Sequence, residues 1–258
     1  MAMLIPITII FIFGLTIGSF INVVAFRYPD DSTIGRTWLK ILGGRSRCPN
    51  CNKTLRWYEL VPLISFLIQL GKCRGCGVSI SWRYPIVELF SGLAAALWYA
   101  TIFTTLPWWQ AVTLAVAIFI LILAAAIDAR LSILPDGLNL SLAILGLALV
   151  IMRADYINSL VAAAGGILFF GGIVLLSQGR AMGMGDIKLA GAMGLLLGWP
   201  GAVLAFMLSF ITGAIWGILL IMIKRKKLRD AIPFGPFLVA GSLLVVFFGP
   251  QISAIIRL

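Results

Sequence analysis

The chain has 258 residues, of which 61% are hydrophobic and 11% charged, with a net charge of +11 and a mean hydropathy of +1.08. No soluble domain needs that much apolar surface, so the class is a membrane protein. The basic excess then marks loops on one side of a bilayer rather than a nucleic-acid partner. With no histidine in the chain, Ser-His and Cys-His catalysis and histidine metal ligation are excluded.

Eight apolar runs are predicted as helices, at 4–26, 85–103, 111–127, 137–152, 157–176, 187–198, 202–223 and 233–256. A full crossing takes about 20 residues, so the fourth is marginal and the sixth short. The first is too long for a signal-peptide core and lacks a basic n-region and a small-residue cleavage site. It reads as a retained helix. The expected fold is an all-α polytopic membrane protein of about eight transmembrane helices with a cytoplasmic four-cysteine loop. Its parts are residues 1–26 as the first helix, 27–84 as a polar, basic, cysteine-bearing loop domain, and 85–258 as the multi-helix membrane domain.

Lysine and arginine set the orientation. Ten lie in the first loop: Arg27, Arg36, Lys40, Arg45, Arg47, Lys53, Arg56, Lys72, Arg74 and Arg83. Arg130, Arg180, Lys188, Lys224, Arg225, Lys226, Lys227 and Arg229 fall on the same side, against only Arg153 and Arg257 on the other. That asymmetry places the first loop in the cytoplasm. Trp108, Trp109 and Trp199 then fall at the outer interface. Asp128, Asp136 and Asp186 fall at the cytoplasmic face.

The four cysteines form two pairs, Cys48-Pro-Asn-Cys51 and Cys73-Arg-Gly-Cys76, separated by 21 residues. Two such turns can direct four thiolates at one metal, and four protein ligands leave no open position, so the expected ion is a single structural Zn2+. The flanking cations favour thiolates. Free thiols or a redox pair are the alternative.

Nine acidic residues serve the whole chain, and two of them stand at the ends of apolar runs: Asp128 after Ala124-Ala125-Ala126-Ile127, and Asp186 after Gly183-Met184-Gly185. A carboxylate there is costly unless it meets water or a partner. Taken singly, Asp128 reads as a polar helix end, Asp186 as a helix N-cap, and Asp136 as part of a turn into the fourth helix. Taken together, the two carboxylates share a predicted depth and side. Peptide hydrolysis by such a pair uses one acid to polarise the carbonyl and one base to activate water. Gly183 and Gly185 would allow close backbone approach to a substrate.

Several segments in order resemble the type IV prepilin leader peptidases, polytopic membrane aspartyl proteases. They are Gly18-Ser19-Phe20-Ile21-Asn22-Val23-Val24, Ser46-Arg47-Cys48-Pro49-Asn50-Cys51, Leu70-Gly71-Lys72-Cys73-Arg74-Gly75-Cys76, Arg83-Tyr84-Pro85-Ile86-Val87-Glu88, Asp128 through Leu134-Pro135-Asp136, and Gly183-Met184-Gly185-Asp186-Ile187-Lys188. The resemblance implies a multi-pass enzyme of the bacterial inner membrane. It would cleave the basic leader of type IV prepilins or type II secretion pseudopilins at the cytoplasmic face. It would also N-methylate the new terminus with S-adenosylmethionine. It implies Asp128 and Asp186 as catalytic, with Asp136, Gly183, Gly185 and Lys188 supporting. Glu88 reads either as a snorkelling helix-start glutamate or as a contact to the substrate or the methyl-transfer site. Two other classes remain at this stage. One is a proton-coupled transporter, which would place carboxylates nearer the midplane of repeated halves. The other is a zinc-bearing scaffold, which would tolerate Asp186→Asn.

Overall fold

A computed structural model describes residues 3–29, 41, 43–223 and 232–256. The orientation residues Arg36, Lys40, Lys224, Arg225, Lys226, Lys227, Arg229 and Arg257 lie outside them. The described residues are helical, with no strand beyond two isolated bridges. They fall into two compact units, residues 1–105 and 106–258.

The first unit contains α1 (Leu4–Arg27), a short α2 (Ile64–Ile68) and α3 (Arg83–Trp98), which continues as a π-turn to Phe103. α1 packs along α3 through small residues. A Cβ built on Gly14 would lie 2.6 Å from the Ala95 Cβ, and one on Gly18 would lie 2.8 Å from the Glu88 Cα. Gly14 and Gly18 are one turn apart, so their missing side chains form a single groove for the partner helix, the usual device where lipid supplies no hydrophobic drive. At the end of α1, the Arg27 guanidinium donates to the carbonyls of Ile41, Gly43, Gly44 and Arg45, tying the loop to the helix. The loop is less polar than its charge suggests. Residues 61–70 are mostly apolar, and α2 buries none of its side chains.

The second unit contains α4 (Trp108–Leu131), α5 (Asp136–Arg153), α6 (Tyr156–Ser177), α7 (Met184–Leu197), α8 (Gly201–Met222) and α9 (Gly235–Ile256). Among the described residues seven helices are long and apolar enough to cross a membrane. All eight predicted runs are helical, but α7 has only 14 residues. At about 1.5 Å per residue it spans about 21 Å, short of the roughly 30 Å hydrocarbon core. It is enclosed by α5, α6, α8 and α9 instead of facing lipid. Glycines allow this enclosure: Gly194 abuts the Ala163 backbone, and a Cβ on Gly191 would lie 2.9 Å from Ile167. Trp108, Trp109 and Trp199 are exposed at helix ends, as interfacial tryptophans are.

Candidate functional site

The end of α4, the start of α5, the start of α7 and the start of α9 meet at one end of the second unit. α4 closes on Ser132 in the left-handed conformation, φ 54°, whose N–H donates to the Asp128 carbonyl at 2.8 Å. Asp128 is thereby fixed in the final turn with its side chain directed inward, 4% exposed. Its Oδ2 accepts the N–H of Gly235 at 2.9 Å. Gly235 opens α9, where the helix dipole favours an anion. Phe234, just before it, is held by Phe210 and Phe170 at ring-centroid distances of 5.0 and 6.3 Å, so the donor stands on a packed aromatic cluster.

Asp186 occupies the third position of α7 rather than its N-cap, which is Gly183. Its Oδ2 reaches back to the Gly183 N–H at 3.1 Å, and its own N–H donates to the Gly183 carbonyl at 3.2 Å. Asp186 is 8% exposed. The two carboxylates are therefore held alike. Each gives Oδ2 to a glycine N–H, and among the described residues neither Oδ1 accepts a hydrogen bond.

Leu134 binds the two halves together. A Cβ on Gly185 would lie 2.9 Å from the Leu134 Cβ, and a Cβ on Gly235 would lie 3.2 Å from the Leu134 Cδ2. The close approach that Gly185 allows is thus taken up by Leu134. Asp136 and Lys188 form an exposed ion pair at 2.7 Å between α5 and α7. Two contributors lie outside the quoted sequence motifs, Gly235 and Asn139, and Leu134 lies inside one without a role of its own. Asn139 is buried on α5, donates from Nδ2 to the Gly185 carbonyl at 3.4 Å, and keeps its Oδ1 buried without a partner among the described residues. Its signal was available as an amide three residues after Asp136 inside an apolar run. The signal for Gly235 was a glycine between Phe234 and Pro236 at a helix start.

In the first unit the four cysteine sulfurs lie within 4.8 Å of one another. The two turns are equivalent. Asn52 N–H donates to the Cys48 carbonyl and Gly77 N–H to the Cys73 carbonyl, at 2.9 and 2.8 Å. Asn52 and Gly77 both adopt positive φ, 56° and 73°, where asparagine and glycine are the tolerated types. Cys48 and Cys76 sulfurs are 3.9 Å apart, near the ~3.8 Å edge of a tetrahedron with Zn–S of about 2.3 Å. The donor set fits zinc. The Asn50 amide, followed by the Val78 N–H, holds the Cys76 thiol down at about 6. Cys51 is pushed up to about 11: the Lys53 N–H favours its thiolate, but burial and the neighbouring thiols outweigh it. Crowded thiolates repel, and a cation removes that cost.

Glu88 is buried in α3 and does not snorkel. Its carboxylate accepts the Leu63 N–H at 2.9 Å.

A family profile described as "Bacterial Peptidase A24 N-terminal domain" matches residues 12–102. One described as "Type IV leader peptidase family" matches residues 115–218. A "Prepilin leader peptidase/N-methyltransferase" of Aeromonas hydrophila is 33% identical over 269 residues, covering 95% of this chain and 92% of the relative. One of Bacillus subtilis is 36% identical over 247 residues, covering 95% of each. One of Myxococcus xanthus is 36% identical over 220 residues, covering 83% of this chain and 62% of the relative. No solved structure matches at a significant level.

Proposed function

The chain belongs to the type IV leader peptidase family, and from that premise we propose that Asp128 and Asp186 are its catalytic pair. The protein is a multi-pass membrane peptidase that cleaves prepilins and N-methylates the product. The finer reading adds pseudopilins of type II secretion as further substrates. It also adds the bacterial inner membrane as location, with the cysteine loop and the aspartates on the cytoplasmic side, as the arginine and lysine bias suggests.

One observation carries the catalytic reading. Two buried carboxylates at one end of the second unit are each anchored through Oδ2 to a glycine N–H, and among the described residues neither Oδ1 accepts a hydrogen bond. Such a pair can place one carboxyl on the scissile carbonyl and the other on the attacking water. The anchors fix both side chains before substrate arrives, which is how positioning lowers a barrier. Gly183 and Gly185 shape the turn that carries Asp186. Asp136 and Lys188 clamp α5 to α7 beside it.

Cys48, Cys51, Cys73 and Cys76 would hold one structural Zn2+ that fixes the two turns of the loop. S-adenosylmethionine is the methyl donor in this reading. The described part of the loop offers it no open carboxylate. Glu59 is buried against Lys53 and Glu88 against Leu63.

The test is to incubate the purified enzyme with a prepilin-like peptide and read product masses. Intact enzyme gives leader loss and a methyl addition. Asp128→Asn and Asp186→Asn each lose cleavage by at least ~100-fold, the scale of a missing acid or base, while still inserting in the membrane. Near-normal cleavage by either variant would remove the assignment.

A further inference from the structure

The loop between α1 and α3 carries an apolar surface that neither catalysis nor metal binding uses. Residues 61–70 read Val-Pro-Leu-Ile-Ser-Phe-Leu-Ile-Gln-Leu, too short to cross a bilayer at about 20 residues per crossing. Ile64 is 56% exposed, Leu67 68%, Ile68 64% and Leu70 85%. Trp57 and Trp82 beside them are 79% and 70% exposed. The Phe66 and Trp82 rings meet at 5.0 Å, which joins the segment to the start of α3. A contiguous apolar face of this kind marks an interaction surface.

Two observations identify what covers it. The first is depth. Leu63 stands immediately before α2, and its N–H is bonded at 2.9 Å to Glu88, five residues into a helix that is long and apolar enough to span. At about 1.5 Å per residue this sets Leu63 about 8 Å along α3 from its start. The exposed apolar side chains of α2 are therefore level with Ile86, Leu89 and Phe90, which are exposed on a helix long and apolar enough to span. The second is charge. Between residues 43 and 84 Glu59 is the only acidic residue, and it is buried against Lys53. Arg56, Lys72, Arg74 and Arg83 are exposed around the segment. An apolar face with a cationic rim matches the acyl boundary below a layer of anionic headgroups.

We propose that residues 61–70, with Trp57 and Trp82, form an interfacial membrane-embedded segment that inserts into the leaflet beside α3. It thereby anchors the cysteine loop to the bilayer surface. Glu88 is then a tether: its carboxylate satisfies a backbone N–H that lipid could not.

The test places a photo-activatable benzophenone amino acid at position 67 or 70 of the full-length protein in nanodiscs containing phosphatidylglycerol. Ser79, exposed on the same loop, is the negative control, and Phe90 on α3 the positive control. The expected result is a phospholipid mass adduct at 67 and 70 in yield close to that at 90 and several-fold above that at 79. Replacing phosphatidylglycerol with phosphatidylcholine should lower the yield at 67 and 70 and leave that at 90 unchanged. Yield at 67 and 70 no higher than at 79, or adducts to an added prepilin peptide or a second copy of the chain in place of lipid, would overturn the proposal. The photoadducts form without turnover, so this result is independent of the catalytic assignment. A second measurement guards against local perturbation by the label. Bromolipid quenching of tryptophan emission should fall in Trp57→Phe and Trp82→Phe, and equal quenching in both variants and wild type would likewise overturn it.

Discussion

Gly235→Ala tests the anchoring of Asp128 directly. A Cβ built on Gly235 lies 2.6 Å from the Asp128 Oδ2 and 3.0 Å from its Cγ. Ordinary non-bonded contact begins near ~3.5 Å, so the carboxylate must withdraw by about 0.9 Å. Leu134 blocks one direction, 3.2 Å from the same Cβ, and the 2.9 Å bond from the Gly235 N–H cannot survive that movement. A hydrogen bond to a charged group contributes about 1.5–3 kcal/mol, and a displacement near 1 Å in a catalytic group costs about 100-fold in rate. The expected outcome is a fall in kcat of about that size with KM little changed. Gly165→Ala is the matched control, because its added Cβ meets nothing within 4 Å. The assay is leader cleavage followed by mass spectrometry, with circular dichroism to confirm helicity. A folded Gly235→Ala enzyme that cleaves at the wild-type rate would refute the proposed anchor.

Asn139→Leu removes both the bond to the Gly185 carbonyl and a buried amide oxygen that has no partner among the described residues. Stability should change by no more than about 1 kcal/mol because the two losses oppose each other, while cleavage slows about tenfold, equivalent to ~1.4 kcal/mol. A lower melting temperature with unchanged kcat would contradict this. Replacing Cys48 and Cys51 together with serine should take metal content from about one zinc per chain to none and open residues 43–84 to limited proteolysis; unchanged metal content would exclude the site. The Arg56 N–H, and then Lys53, hold Glu59 below the usual carboxylate range. Its folded value is depressed, so its stabilising contribution is complete above the unfolded value near ~4.3 and is lost as pH falls through the folded one. The destabilisation caused by Glu59→Gln should therefore be full at neutral pH and shrink below about pH 4, as followed by melting temperature against pH. A pH-independent difference would show that the ion pair is not its source.

The all-helical membrane class was written in composition and run length, because burying that many apolar residues against lipid requires internally bonded helices. The cysteine pairs were legible for a similar reason. A CxxC turn brings its two sulfurs together through local backbone geometry, and only the closure of one turn on the other needed the fold. Asp128 and Asp186 were visible as carboxylates at the ends of apolar runs, since a charge there stands out against its neighbours. What the sequence could not carry was who holds them. Gly235 is 107 residues from Asp128 in the chain, and only the packing of α9 against α4 makes its N–H the anchor. The same is true of Leu134 between Gly185 and Gly235, and of Glu88, whose environment and not its identity turns a candidate surface carboxylate into a buried tether for Leu63. The short α7 shows the limit from the other side. Its 14 residues fall short by the length rule, yet four neighbouring helices pack around it, with Gly191 and Gly194 letting α6 come close, and replace the lipid that a spanning helix would face. Local chemistry follows from residue type and spacing, whereas long-range partners, enclosure and depth are set only when the helices have packed.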